Sequence, residues 1–282
     1  MTIRFAKYHA LGNDYLVIEG SEFRGDPDPE TVRRLCDRHT GVGADGILIA
    51  QPIVPGRSLE LRIFNPDGSE AEKSGNGLRI YVRYLHDHGR VATEEDFVVQ
   101  TKGGAVVCRM LKGARGIAVE MGHVSFDSEA IPVAGPKREV IAEDVEIDGH
   151  GLHVTCATIG NPHCVVHGEE VTEGNARRLG PAIENAPLFP NRTNVQLVEV
   201  LDEHRIRIEI WERGAGYTLA SGSSACAAAA ACCRRGLCRS PVRVVMPGGK
   251  LEITVAEDFT VTMVGPASKI CDGVLAASFA AA

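Results

Sequence analysis

The chain repeats itself. Lys73 to Gly89 reads KSGNGLRIYVRYLHDHG and Ala220 to Gly236 reads ASGSSACAAAAACCRRG. Each stretch has a serine, a glycine, small polar residues and then a run of helix formers closed by a glycine. Phe64 falls on Trp211, Ser74 on Ser221, Gly75 on Gly222 and Gly89 on Gly236, always 147 positions later. A chain of 282 residues with that offset has room for two domains of about 140 residues on one plan. A helix that opens with Ser-Gly leaves its first backbone N–H groups free, and with the positive dipole end these form an anion site. Two such ends would grip a carboxylate. The body of the second helix, Ala225 to Cys233, carries no strongly polar side chain, which predicts burial on every side. It is too short to span a bilayer.

Charge and cysteine usage narrow the function class. A net charge of -7 and a pI near 5.8 argue against a nucleic-acid footprint and for a small-molecule substrate. The nine cysteines are odd in number and contain no CxxC pair. Cys36, Cys108, Cys156, Cys164, Cys226, Cys232 and Cys233 read as reduced, packed small hydrophobes. The N-terminal stretch MTIRFAKYHALGND has no apolar core of signal-peptide length, so a cytoplasmic location is expected. No metal site is expected: His150 and His153 are three apart but lie in a Gly-rich stretch without a supporting ligand set.

Taken in order, Thr2 to His9 alternates apolar and polar residues and predicts a strand, then a turn over Leu11 to Asp14 and a strand over Tyr15 to Ile18. Asp28-Pro29-Glu30 is a helix start with Asp28 as cap, and Gly41 is expected to end that helix. Gly41 to Gly46, GVGADG, matches a dinucleotide glycine pattern. A helix precedes it and the apolar run Ile47 to Ala50 follows, the reverse of the required order, so that reading is rejected. Ser58 to Phe64 predicts a strand and Asn65 to Gly68 a turn. Strands follow over Asp96 to Thr101, Ala105 to Leu111 and Gly116 to Met121. Glu139 to Val145, His153 to Ile159 and Cys164 to His167 are strand-like, with Gly160 to His163 as a turn. Glu173 to Asn185 predicts a helix, and Asn194 to Val200, Arg205 to Trp211, Val242 to Met246 and Leu251 to Val255 predict strands. Each half is expected to be a set of short, mostly antiparallel strands with one long helix in the middle, an α+β architecture.

Seven motifs now stand in order: GND at Gly12 to Asp14, GVGADG, RIFNPDGSEAE at Arg62 to Glu72, SGNGLR, GNPH, RTNVQ at Arg192 to Gln196 and WERGAGYTLASG. Together they resemble the diaminopimelate epimerase family over essentially the whole chain. The resemblance implies two pseudo-symmetric domains, each a curled sheet or barrel around a central helix, with the substrate in a cleft between them. It places residues 1–122 in one half, joined by a C-terminal strand within 266–282, and 123–265 in the other. It implies an isomerase that epimerises an amino-acid α-carbon without cofactor. A homodimer is compatible with it; nucleic-acid and membrane partners are not expected.

Residue by residue, the family's two catalytic cysteines fall on Ser74 and Ser221, the main departure. A helix N-terminus can lower a thiol from its ordinary pKa near 8.5, whereas a serine hydroxyl needs a neighbouring base. His163 and Glu212 occupy family positions beside the reacting centre and are the candidate helpers; for His163 the rival reading is that it only hydrogen-bonds its own turn. Asn13, Asn65, Asn161, Asn194, Glu212 and Arg213 would hold polar groups of the substrate. Gly75, Asn76, Gly222 and Ser223 would offer N–H groups to its α-carboxylate. Gly46 stands where the family often has a polar residue such as Gln. The resemblance implies conversion of LL-diaminopimelate to the meso isomer in lysine biosynthesis. Because both family cysteines are serine, the alternatives are a divergent isomerase or dehydratase of another small carboxylate and a non-catalytic amino-acid binding protein, and the serines themselves are either natural or those of a disarmed variant. Gly-Ser-Ser at Gly222 to Ser224, in place of the family's Gly-Thr-Gly, favours natural divergence over a disarmed variant.

Overall fold

The computed structural model describes residues 3–23, 27–53, 58–114 and 116–280. Thr2, expected to open the first strand, and Ala281 and Ala282 of the last expected segment lie outside the described residues. Two compact units divide the chain: Met1–Val119 with Gly265–Ala282, and Glu120–Val264.

In the first unit, strands β1 (Arg4–Ala10) and β2 (Asn13–Glu19) are followed by helix α1 (Pro29–Cys36) and strands β3 (Ile47–Ala50), β4 (Leu59–Phe64) and β5 (Glu70–Ala71). Helix α2 (Gly75–Asp87) comes next, then β6 (Asp96–Thr101), β7 (Gly104–Met110) and the start of β8 (Ile117–His123). The last strand of the chain, β18 (Ser268–Val274), pairs with β1. The pairing series is β18-β1-β2-β3-β4-β6-β7-β8, all antiparallel except β2 with β3 and β4 with β6. Helix α2 touches β18 at one end of the series and β7 near the other, so the sheet curls around it.

The second unit holds β9 (Glu143–Ile147), β10 (His150–Thr158), β11 (Pro162–His167), helix α3 (Glu173–Glu184), β12 (Asn194–Asp202), β13 (Arg205–Glu212) and β14 (Gly216–Thr218). Helix α4 (Gly222–Arg234) precedes β15 (Val242–Met246), β16 (Gly249–Val255) and β17 (Thr260–Gly265). Its series, β9-β10-β11-β12-β13-β15-β16-β17, repeats the same order of antiparallel and parallel joints. The place that β9 fills here is filled in the first unit by β18, from the opposite end of the chain.

Burial follows from this plan. Leu16, Ile18, Ile47 and Ile49 form one core cluster with Val32 and Leu35 of α1, while Leu48 lies against Gly77 of α2. Strands β2 and β3 are therefore apolar on both faces, as strands covered by helices must be. In the second unit Cys164, Val166, Val195 and Leu197 pack with Ala176, Leu179 and Ile183 of α3. Residues Ala225 to Cys232 of α4 are all fully buried, which accounts for their lack of a polar face.

Four local expectations change. Helix α1 stops at Cys36 rather than Gly41, because the Asp37 carboxylate takes the N–H groups of His39 and Thr40 and turns the chain out of the helix. Strand pairing already starts at Pro162, shortening the turn to Gly160 and Asn161. The strand expected from Glu139 begins at Glu143. Two parallel joints in each unit qualify the antiparallel description, and β5, β14 and β17 are additional strands.

Gly180 shows how closely α3 lies on β13: a Cβ there would meet Trp211 Cγ at 2.4 Å, whereas one at Gly174 of the same helix meets nothing within 4 Å. Gly180→Ala is expected to destabilise the protein by about 1–3 kcal/mol through overpacking. Gly174→Ala should leave stability unchanged or raise it by up to about 1 kcal/mol. Urea unfolding of the two variants checks the contrast.

Candidate active site

Each unit places one serine at the start of its central helix. Ser74 is the N-cap of α2 in extended conformation, and its Oγ accepts the Gly77 N–H at 3.0 Å. Ser221 caps α4 in the same way, accepting the Ser224 N–H at 3.4 Å. Both hydroxyls are thus oriented by a helix turn that begins with Gly75-Asn76 or Gly222-Ser223, whose N–H groups have no acceptor within the helix.

In the first unit three sequence motifs meet in one polar network. Asn13 donates its amide to Asp45 at 3.0 Å and accepts from the Asn76 amide at 3.0 Å. Asn76 in turn accepts from Arg79 Nη2 at 2.7 Å, and Arg79 also donates to the Gly75 carbonyl at 3.2 Å. Arg79 is fully buried, so its charge stands behind the first turn of α2 and adds to the helix dipole there. Asp45 and Asp14 share Arg38, at 2.8 and 2.6 Å, and Lys7 lies 2.9 Å from Asp14. Burial works to raise the Asp14 carboxyl, but Arg38 and Lys7 hold it down to about 2. The GVGADG loop is thereby given a role unrelated to nucleotides: it pins Asn13.

Asn65 stands apart from that network. Its backbone and side chain bond Ser69, and it is exposed, which is turn chemistry. Gly46 leaves room for an aromatic ring, since a Cβ there would meet Tyr15 Cε1 at 2.6 Å.

The second unit engages its polar residues in pairs. Asn194 is buried with both ends of its amide in use, donating to the Pro162 carbonyl at 2.7 Å and accepting the Arg213 N–H at 3.0 Å. It fixes the GNPH and WERG segments to each other. Glu212 accepts the Thr218 hydroxyl at 3.0 Å, and the exposed Arg213 side chain donates to the Asn191 carbonyl at 3.2 Å. Buried Glu184 accepts from Trp211 Nε1 at 2.7 Å, Gly214 N at 2.9 Å and Arg192 at 3.1 Å, holding the RTNVQ and WERGAG loops.

His163 is placed differently from the expected base. It is fully buried; Nε2 bonds Asn161 Oδ1 at 3.0 Å and Nδ1 accepts from Gln196 at 3.2 Å, while Gln196 also donates to Ser224 Oγ at 3.0 Å. Ser221 Oγ lies instead 3.4 Å from Ser223 Oγ. Desolvation, reinforced by the Arg213 charge, pushes the imidazole down to about 3, so it is neutral at physiological pH and poorly suited to take a proton from Ser221. Its role in this arrangement is to orient Asn161 and, through Gln196, the first turn of α4. Arg79, Tyr15, Gln196 and Glu184 are contributors not singled out from the sequence; a charged residue inside the apolar run of α2 was the available signal for Arg79.

The neutral imidazole has a measurable consequence. The unfolded chain takes up a proton at this histidine below about pH 6.5, but the folded chain does so only near 3. Stability from its burial is complete above 6.5 and falls as pH drops through that window, at up to about 1.4 kcal/mol per pH unit. Urea unfolding between pH 6.5 and 5 should therefore show a steeper loss in the unsubstituted protein than in His163→Asn; equal slopes would place the imidazole in solvent.

Comparison with known proteins agrees with this picture. The family model described as diaminopimelate epimerase matches residues 5–126 and 155–270. Diaminopimelate epimerase 2 of Nostoc sp. (strain PCC 7120) is 50% identical over 274 residues, covering 97% of this chain and 95% of the relative. Diaminopimelate epimerase of Moorella thermoacetica is 41% identical, covering 96% and 98%. Among solved structures, a probable proline racemase from Agrobacterium radiobacter K84 shares the fold at a TM-score of 0.69 with 16% identity, covering 98% of this chain and 93% of that one. Two units with one order of strand joints, each built on a serine-capped central helix, and relatives matched end to end make this chain a member of the diaminopimelate epimerase family.

Proposed function

We propose that this protein is an isomerase that epimerises diaminopimelate, converting the LL to the meso isomer in lysine biosynthesis without a cofactor. The observation that carries the reading is one serine-capped helix N-terminus in each repeat unit, in a chain that belongs to this family. Inversion of an α-carbon requires one group to remove the α-proton and another to return a proton on the opposite face. Ser74 and Ser221 are assigned these places. The negative charge that develops spreads into the α-carboxylate, where the N–H groups of Gly75, Asn76, Gly222 and Ser223 stabilise it. Buried Arg79 supplies fixed positive charge behind the α2 end.

Asn161, bonded through its Oδ1 alone, and Asn13, anchored at both ends of its amide with one amide N–H left over, are assigned with Glu212 and Arg213 to the remaining polar groups of the substrate, Arg213 to a carboxylate. Asn65 and Asn194 act at one remove, through their loops. The substrate is a small molecule rather than nucleic acid or membrane, in keeping with the net charge of -7, and the cytoplasm is the assigned compartment. Among the described residues no helix is long and apolar enough to cross a membrane.

Incubation with LL-diaminopimelate in heavy water tests the reading. Deuterium should enter at the α-carbon with inversion, followed by mass spectrometry and chiral separation. Ser74→Ala and Ser221→Ala are each expected to slow exchange by about 10²–10⁴-fold, while costing only about 1 kcal/mol of stability as lost caps. Binding without exchange in the unsubstituted protein would leave the amino-acid binder reading in its place.

A further inference from the structure

The repeat contains a one-residue slip that changes which residues correspond. The central helices are related by 147 positions, Ser74 to Ser221. In the neighbouring strands the relation is 148: Gly12-Asn13 recurs as Gly160-Asn161, and the parallel pair Leu16 opposite Ile47 corresponds to Cys164 opposite Val195, all four being members of the α1-side and α3-side core clusters. One position earlier, Tyr15 therefore stands where the second unit has His163, and Gly46 where it has Asn194.

That correspondence is accompanied by direct contact. Tyr15 is buried, and its Oη lies 3.4 Å from Ser74 Oγ. The ring reaches this place because position 46 is glycine: a Cβ there would sit 2.6 Å from Tyr15 Cε1 and 2.5 Å from the Phe64 carbonyl. Ser74 already accepts the Gly77 N–H, and among the described residues no carboxylate, imidazole or ammonium group hydrogen-bonds its Oγ. In the second unit, by contrast, the corresponding His163 reaches Ser224 only through Gln196 and is held neutral.

We infer that Tyr15 is the proton partner of Ser74, a residue that acts through that serine in the epimerisation proposed above and rests on that reading. When Ser74 serves as base, its oxygen takes the α-proton as its own hydroxyl proton passes to the Tyr15 phenolate; the C–H electron pair stays on the α-carbon and spreads into the carboxylate. When it serves as acid, the phenol proton returns through Ser74 to the carbon. No atom is gained or lost beyond the proton relayed. A phenol, with an ordinary pKa near 10, is far easier to ionise than an aliphatic hydroxyl and is a recognised general acid–base group.

Site-specific replacement of Tyr15 by 3-fluorotyrosine keeps the ring and hydroxyl but makes the phenol more acidic. One limb of the kcat/KM pH profile for LL-diaminopimelate should move to lower pH, and Tyr15→Phe should lower kcat by about 10²-fold or more with little change in KM. The fluorine NMR titration of the same residue should shift when Ser74 is replaced by alanine, a readout independent of turnover. An unmoved pH limb together with near-normal Tyr15→Phe activity overturns the relay while leaving the epimerase reading intact. Failure of the unsubstituted protein to turn over removes the epimerase reading, and the fluorine titration then decides alone whether Tyr15 and Ser74 share a proton; an unchanged midpoint in Ser74→Ala overturns that as well.

Discussion

Each unit depends on a serine hydroxyl that closes the first turn of a buried helix. A helix start inside a protein exposes N–H groups to a region with little water, and each one left unmet costs free energy. Ser74 and Ser221 satisfy the third N–H of α2 and α4, and the two before it have no acceptor within their helix. Capping also fixes the hydroxyl: with one lone pair held by the backbone, the oxygen keeps a defined direction for proton transfer. The curled sheets, the polar networks and the buried Arg79 serve to hold those two turns in place.

The two copies of this device have diverged in their supports. Beside α2 the first turn is tied by side chains that carry charge: Arg79 bonds Asn76, Arg38 bonds the Asp45 that holds Asn13, and Arg38 and Lys7 both pair with neighbouring Asp14. Beside α4 the support is a neutral chain, Asn161, His163, Gln196 and Ser224, with no ion in it. A buried neutral imidazole is stable only because both its nitrogens are bonded, and removing either partner would leave a desolvated polar atom worth about 1–3 kcal/mol. One plan thus yields a helix turn backed by a buried guanidinium in one unit and by a hydrogen-bonded chain of uncharged side chains in the other.

Much of this was legible in the sequence because a helix start has a chemical signature. Ser-Gly followed by small residues located both α2 and α4, and Asp28-Pro29 located α1, since caps act locally. The strands and central helix of each half followed from turn residues and apolar runs, while the curl of the sheet around that helix was implied by the family resemblance. What stayed hidden depends on geometry across the sheet. Aligning the copies on their helices pairs Leu16 with His163, whereas the strand registers make Tyr15 the counterpart. Asn194 read as a substrate ligand because its position in a motif does not disclose that its amide is consumed by Pro162 and Arg213. Likewise Glu184, in a helix that reads as amphipathic, is drawn inward by three donors from outside the helix: Arg192 just beyond it, Trp211 on β13 and the Gly214 N–H.

The cysteines bear on why oxygen chemistry is the relevant kind here. A thiol serves as a base at neutral pH when its pKa falls, and burial does the reverse. Desolvation pushes Cys36 and Cys233 up to about 11 and Cys108 up to about 12. Cys238 is drawn down by a hydrogen bond from Cys232, but that pair lies at the far end of α4 from Ser221. Cys226, inside α4, is fully buried among alanines. The thiols with resolved shifts are therefore either suppressed by burial or remote from a helix start. The groups at the two starts are hydroxyls, and a hydroxyl that must exchange protons needs an ionisable neighbour within reach. In the first unit the aromatic hydroxyl of Tyr15 on β2 lies 3.4 Å from Ser74 Oγ, admitted by the glycine opposite it on the entry to β3.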